Sequence, residues 1–314
     1  KQIPVFSAPN VEYAIDRFRF YRGAGIRGCD VVVTSGCDLP KRKNQKMVII
    51  VHDVIHKAFP GGHSPETIRA VDAGFRRVAR DADAFIAVSE TTRNDLMTFY
   101  DIPANRIFKI YSGCNSCLEK PGLAVAQKIL AEKFGVSGDY ILFLGTLEPR
   151  KNIENLLKAY ARLCRKGAPE QFVIAGMKGW MFDGIFETVQ QLALTDRVIF
   201  TDYISYEEKQ CLYRLAKIFV FPSFYEGFGL PILEAMDYGV PVITSNVSSM
   251  PEVAGDAALL VDPHDWNAIA DCMERLLADE NLRGQLRSKG LERVKMFDWR
   301  VTAQRFLEFF EKLS

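Results

Sequence analysis

Short apolar runs, rich in β-branched residues, recur along the chain, and each is closed off by polar or turn-forming residues. The first four cover residues 31–34, 47–52, 84–88 and 107–110. Runs of this length without polar alternation suit strands buried on both faces, as in a parallel sheet. Between them, residues 65–81 and 90–99 carry apolar positions at helical spacing, and Ser89 stands where a hydroxyl would cap the second helix. A second series begins at Tyr140. Its strands are expected at 140–144, 172–175, 198–200, 217–221, 241–244 and 258–261, with helices at 153–166, 184–194, 206–215 and 230–238. Ser205 and Glu208 have the spacing of a capping box at the third of these helices. Helices at 266–279, 282–297 and 299–313 close the pattern.

This alternation predicts an α/β chain of open parallel sheets with helices on both faces. Residues 112–139 interrupt it with Gly113, Pro121, Gly122, Gly135, Gly138 and one short helix. The expected division is therefore a first domain at 1–115, a linker at 116–139 and a second domain at 140–314. The first series has fewer strands than a doubly wound domain usually carries. An opening β-α-β upstream of Val31 is expected to be missing from it.

Composition narrows the class. A length of 314 residues suits two domains, and 48% hydrophobic with 25% charged residues is a globular profile. A net charge of +1 gives no global attraction to nucleic acid or membrane. Seven scattered cysteines point to a reducing, cytoplasmic setting rather than a disulfide framework. Cys114 and Cys117 form one C-x-x-C, which lacks the two further ligands that zinc needs. Lys41, Arg42, Lys43 and Lys46, with Arg69, Arg76, Arg77 and Arg80, make a basic surface. It reads as solvated, with contact to an anionic lipid at the inner face of a membrane as the alternative.

Candidate chemistry concentrates in two turns. The first is FPSFYEGFGLPILE at 221–234, a strand end, a glycine loop and a helix start carrying Pro231 in its first turn. Gly227 and Gly229 let the backbone approach a ligand, and a helix N-terminus favours phosphate. Glu226 and Glu234 could bracket a diphosphate-linked sugar, one taking hexose hydroxyls and the other ribose hydroxyls. The alternative is a helix-entry loop with two solvated glutamates. The second turn is GTLEPRKN at 145–152, where Arg150 and Lys151 open the next helix. Cations there oppose the helix dipole, so an anion between them is expected. The alternative is a solvated charged turn.

His52 and Asp53 end the strand at 47–52, where a neutral imidazole could meet a hydroxyl or handle a proton. A core histidine or a helix cap explains the pair equally well. His52 and His56 are spaced like zinc ligands, but the first ends a strand, so no metal is expected. Asp81-Ala82-Asp83 precedes a strand instead of ending one and reads as a helix end and loop. No G-x-G-x-x-G follows a strand, which disfavours a nicotinamide dehydrogenase.

The segment 225–263, with Glu226-x7-Glu234, resembles the donor site of the retaining GT-B glycosyltransferases of family 4. GTLEPRKN, VSETTRNDL at 88–96 and FDW at 297–299 are similar to further family segments. The resemblance implies two Rossmann-like domains facing across a cleft. It implies transfer of a hexose from a nucleotide diphosphate sugar to a hydroxyl of a glycan or lipid-linked acceptor, with retention, metal or cofactor being unnecessary. By position, Glu226 would contact the sugar, and Gly227, Phe228, Gly229 and Leu230 would hold sugar and phosphate. Arg150 and Lys151, after Gly145, would neutralise the diphosphate. Glu234 would bind ribose, Gly176, Met177 and Ile204 would lie near the base, and His52 or Asp53 would face the donor sugar. HDVIHKAFP and TLEPRKN are similar to bacterial mannosyltransferase-like members, which makes GDP-mannose the first donor to test. Another GT-B enzyme, such as an epimerase or phosphorylase, or a degenerate nucleotide-binding subunit, remains the alternative.

Overall fold

The computed structural model describes residues 30–35, 45–114 and 119–313. Lys41, Arg42, Lys43 and Cys117 lie outside them. Two parallel sheets form. Strands β1 (Val31–Thr34), β2 (Lys46–Val51), β3 (Ala84–Ala87) and β4 (Ile107–Lys109) lie side by side in chain order. Strands β5 (Tyr140–Leu144), β6 (Gln171–Ala175), β7 (Val198–Phe200), β8 (Ile218–Phe221), β9 (Val242–Ser245) and β10 (Ala258–Val261) build the second sheet in the order β10-β9-β8-β5-β6-β7. The chain reverses its direction across the sheet between β5 and β8, which are neighbours with Ile141 beside Ile218. Ligands of such sheets bind at this switch point, beyond the carboxyl ends of the strands.

Every residue of β8 and β9 is buried, because helices cover both faces of the sheet. Helix α1 (Ile55–Ala58) follows β2, α2 (Pro65–Asp81) leads to β3, and α3 (Glu90–Tyr100) lies between β3 and β4. In the segment between the sheets, α4 (Leu123–Phe134) buries Ala126 and Leu130 in the core of the second sheet. It packs on α7 (Tyr206–Leu215). Helix α5 (Ile153–Arg165) turns Ile153, Leu156, Leu157, Tyr160 and Leu163 inward, an i, i+3, i+4 stripe. The remaining helices are α6 (Asp183–Gln191), α8 (Leu230–Asp237), α9 (Met250–Ala254), α10 (Trp266–Ala278), α11 (Glu280–Val294) and α12 (Trp299–Leu313).

Both expected caps form: the Ser89 hydroxyl accepts from Thr92 N–H, and Ser205 with Glu208 closes a full capping box. The helix expected to Phe297 stops at Val294 and tightens into a 3₁₀ turn at Lys295–Phe297. Helices α1 and α9 are too short to show a period and were not expected from the pattern. Asp81 ends α2, and Asp83 accepts from Met47 N–H at 2.6 Å, so this pair belongs to a helix end and its loop. Among the described residues no helix is long and apolar enough to cross a membrane. Part of the basic surface is paired, Arg69 with Glu66 and Arg76 with Asp72.

Helix α12 leaves the second sheet and crosses to the first. Phe309 is buried among Val48, Ala84, Ile86 and Ile110 and stands edge-on to Phe108 with ring centroids 4.8 Å apart. The FDW segment is the hinge of that crossing: Cys114 N–H donates to the Phe297 carbonyl at 2.7 Å. The Thr302 hydroxyl donates to the Tyr111 carbonyl at 3.0 Å.

Asn152 staples the second sheet together. It sits in the left-handed region at φ 60°, and its buried Nδ2 donates to the carbonyls of Pro222 (2.9 Å) and Pro263 (2.6 Å). Three strand exits are thereby tied to one side chain. Asn152→Ala is expected to cost about 2–4 kcal/mol, from two orphaned carbonyls and a strained backbone. Asn152→Gly recovers only the backbone part. Urea unfolding checks both, and equal stability of the alanine variant and the parent would refute the staple.

Candidate functional site

The reversal between β5 and β8 brings the two motif turns together. The turn after β5 is laced to the turn after β6: Gly145 N–H donates to Ala175 O and Leu147 N–H to Met177 O, each at 2.9 Å. Gly176 has φ 145°, and a methyl there would stand 2.1 Å from the Gly145 carbonyl oxygen, so only glycine fits. Met177 beyond it is 54% exposed, while Ile204 is half-buried against the core beside exposed Tyr203.

Arg150 and Lys151 lie in a 3₁₀ turn, Pro149–Lys151, and not in the first turn of α5 as expected. Asn152, in its left-handed conformation, separates them from the helix. Their side chains meet the loop after β8. Lys151 Nζ is 2.7 Å from Glu226 Oε1 and lies over the Phe221 ring at 4.8 Å. Arg150 pairs through one Nη with Glu226 Oε2 and through the other with Glu148, and it donates to the Tyr225 carbonyl at 3.0 Å. The Lys151 and Glu226 side chains are only 9% and 10% exposed, which excludes a solvated charge at either of them, while Glu234 is 27% exposed. Burial pushes the Glu226 carboxyl up, but Lys151 and Arg150 outweigh it and hold it below the usual carboxylate range. Burial likewise opposes the Arg150 charge, and Glu226 with Glu148 more than restores it. The anion expected between the two cations is thus a carboxylate of the chain itself.

The glycine loop is fastened on all sides. A methyl on Gly227 would lie 2.0 Å from the His52 carbonyl oxygen, so this glycine lets the loop touch the end of β2. Gly229, at φ 102°, opens α8. The Glu226 carbonyl accepts from Ser248 (2.6 Å) and Ser249 (2.9 Å), and the Phe228 carbonyl from Ser249 (2.8 Å). Leu230 is exposed at the start of α8, where Pro231 carries no N–H and Ile232 N–H donates to the Gly229 carbonyl at 3.0 Å, which leaves the Leu230 N–H facing out of the helix.

His52 and Asp53 are exposed at the carboxyl end of β2, which rules out a core histidine. The N-cap of α1 is Val54, and Asp53, one residue before it, accepts from Ile55 N–H at 3.1 Å. His56 is buried elsewhere, its Nε2 2.6 Å from the Tyr100 hydroxyl. Burial lowers its pKa. Glu234 does not share a partner with Glu226. Its carboxylate holds Lys209 Nζ at 2.6 Å and the Tyr213 hydroxyl at 3.1 Å, and it lines a cavity of about 130 Å³ with Tyr206, Leu230 and Trp299. Sequence reasoning missed Glu148, Ser248, Ser249, Lys209 and Tyr213. Glu148, inside the GTLEPRKN turn, carried a signal, a carboxylate two positions from Arg150.

Comparison with known proteins bears on the family and the fold. The family described as "Glycosyl transferases group 1" matches residues 128–293, and "Glycosyltransferase Family 4" matches residues 3–116. The O-antigen chain mannosyltransferase B of Escherichia coli is 35% identical over 264 residues, 83% of this chain and 68% of that protein. A serotype-specific mannosyltransferase of the same organism is 33% identical over 74% of this chain, which spans 29% of its length. The structure of sucrose-phosphate synthase from Thermosynechococcus elongatus superposes with a TM-score of 0.78 at 27% identity, covering 96% of this chain and 77% of that one. A glycosyltransferase involved in lipopolysaccharide biosynthesis shares the fold at a TM-score of 0.70 and 17% identity, covering 94% and 82%. The two parallel sheets are those of the GT-B fold, and the chain belongs to the group 1, or family 4, glycosyl transferases.

Proposed function

We propose that the protein transfers a mannosyl residue from GDP-mannose to a hydroxyl of a glycan or lipid-linked acceptor, with retention and without a metal ion. The observation that carries this reading is the buried cation pair, Arg150 and Lys151, closed on Glu226 beside the start of α8. Cations and a helix N-terminus are what a departing nucleoside diphosphate needs, so they take the part a divalent ion would play. Mannose as the sugar rests on the mannosyltransferases among the relatives.

In this reading the diphosphate lies against Arg150, Lys151 and the Leu230 N–H at the start of α8. Its charge competes with Glu226 for the two cations, and the freed carboxylate accepts hexose hydroxyls. Glu234 takes the ribose hydroxyls, and Gly176, Met177 and Ile204 border the base. His52 and Asp53 stand across the loop at Gly227, at the end of β2 in the first sheet, which takes the acceptor side. The acceptor hydroxyl attacks from the face that the diphosphate leaves. The scattered cysteines fit a reducing, cytoplasmic compartment.

Five outcomes test it. Lys151→Ala weakens GDP and GDP-mannose alike, by roughly tenfold to hundredfold, the worth of a hydrogen bond to a charged group. Glu226→Gln lowers transfer by a similar factor yet leaves GDP at least as tightly bound, because the cations lose a competing anion. Calorimetry with both ligands measures this, and equal loss of GDP binding in the two variants would take Glu226 away from the sugar. Turnover persists in EDTA, and an α-linked product forms, as read by proton NMR of the new anomeric centre. Abolition by EDTA with rescue by manganese, or a β-linked product, would overturn the corresponding part. GDP release that waits for acceptor separates transfer from epimerase chemistry.

A further inference from the structure

The VSETTRNDL segment has a task that neither the donor reading nor the fold requires. It follows β3 and forms the first turns of α3, in the first half of the chain, yet its side chains grip the donor loop of the second. Thr92 is fully buried, and its hydroxyl faces two carbonyls, Gly227 at 3.2 Å and His52 at 3.3 Å. Asp95 lies one turn further along the same helix face. Its Oδ2 accepts from the Tyr225 hydroxyl at 2.6 Å, and Tyr225 is itself buried. Tyr225 and Gly227 are the two residues that flank Glu226. The Tyr225 carbonyl also receives Arg150. The start of the helix that delivers these contacts is itself held by the second half of the chain. Both carboxylate oxygens of Glu252, in α9, accept from Glu90 N–H, at 2.8 and 3.0 Å.

We infer that Thr92 and Asp95 are positioning residues for the transfer: they clamp the backbone on either side of Glu226 and so fix its carboxylate only while the two sheets are apposed. This rests on the reading of Glu226 as the group that meets the donor sugar. Simple packing between the halves would not concentrate polar contacts on the two residues next to one carboxylate. Burial pushes the Asp95 carboxyl up, the Tyr225 hydroxyl pulls it back in part, and the nearby Asp53 carboxylate adds to the upward push. The pair is therefore costly to keep unless its geometry has a use.

A double-mutant cycle on the full chain tests it. Asp95→Ala and Tyr225→Phe each lower kcat with GDP-mannose, roughly tenfold to hundredfold, while the Kd for GDP stays unchanged. The double variant loses no more than the worse single, since both remove one contact. Thr92→Val lowers kcat, and Thr92→Ser restores it. Amide hydrogen exchange of the ligand-free protein supplies a readout independent of donor: the amides of residues 225–230 exchange faster in Asp95→Ala while the β5 and β8 amides do not. Additive losses, equal loss of GDP binding, or unchanged exchange in the loop would overturn the clamp. If the parent turns over no GDP-mannose, the donor reading falls, and the exchange result still decides the clamp.

Discussion

The buried carboxylate of Glu226 is the constraint around which the second half of the molecule is arranged. Two cations, from a turn 75 positions earlier in the chain, reach it in a site largely shut off from water. Burying such a group costs several kcal/mol before its partners repay any of it, and a hydrophobic substitute would often be as stable. The cluster is better understood as a way of holding two positive charges in fixed places. Glu148 and Glu226 balance Arg150 and Lys151, so the assembly is close to neutral until another anion arrives.

Strand order makes this meeting unavoidable. Because β5 and β8 are neighbours, the turn leaving one and the loop leaving the other emerge side by side at the same edge. Glycine then sets how closely they approach. Gly176 fits under the Gly145 carbonyl and Gly227 under the His52 carbonyl at distances no side chain allows. The first of these contacts lies within one sheet's edge. The second joins the two sheets.

Much of this was legible in the sequence, for identifiable reasons. All ten described strands show as apolar runs, and the central ones, such as β8 and β9, are covered on both faces and leave no polar alternation to blur them. The donor loop showed because two glycines, a proline and two glutamates sat at a strand-to-helix junction. What stayed hidden was the partner of each charge. Spacing along the chain says nothing of a lysine that folds back onto a carboxylate, so Arg150 and Lys151 looked like cations awaiting a ligand. Lys209 and Tyr213 carry no local pattern, and the 88–96 segment gives no sign of what its Asp95 meets, because each acts on a residue far away in sequence. The tight turn before Asn152 was invisible for another reason: a single left-handed residue leaves the hydrophobic period intact.

The crossing of α12 has a consequence for synthesis. Lys46, at the start of β2, bonds the Leu313 carbonyl 267 positions later, and Phe309 fills the face of the first sheet. On a ribosome adding about 5–20 residues per second, the face completed by Ile110 waits roughly 10–40 seconds for Phe309 while the second sheet is made. The half that is translated first is then completed after the half that follows it. Valine, isoleucine and phenylalanine side chains stand open to chaperones or to wrong partners throughout that interval.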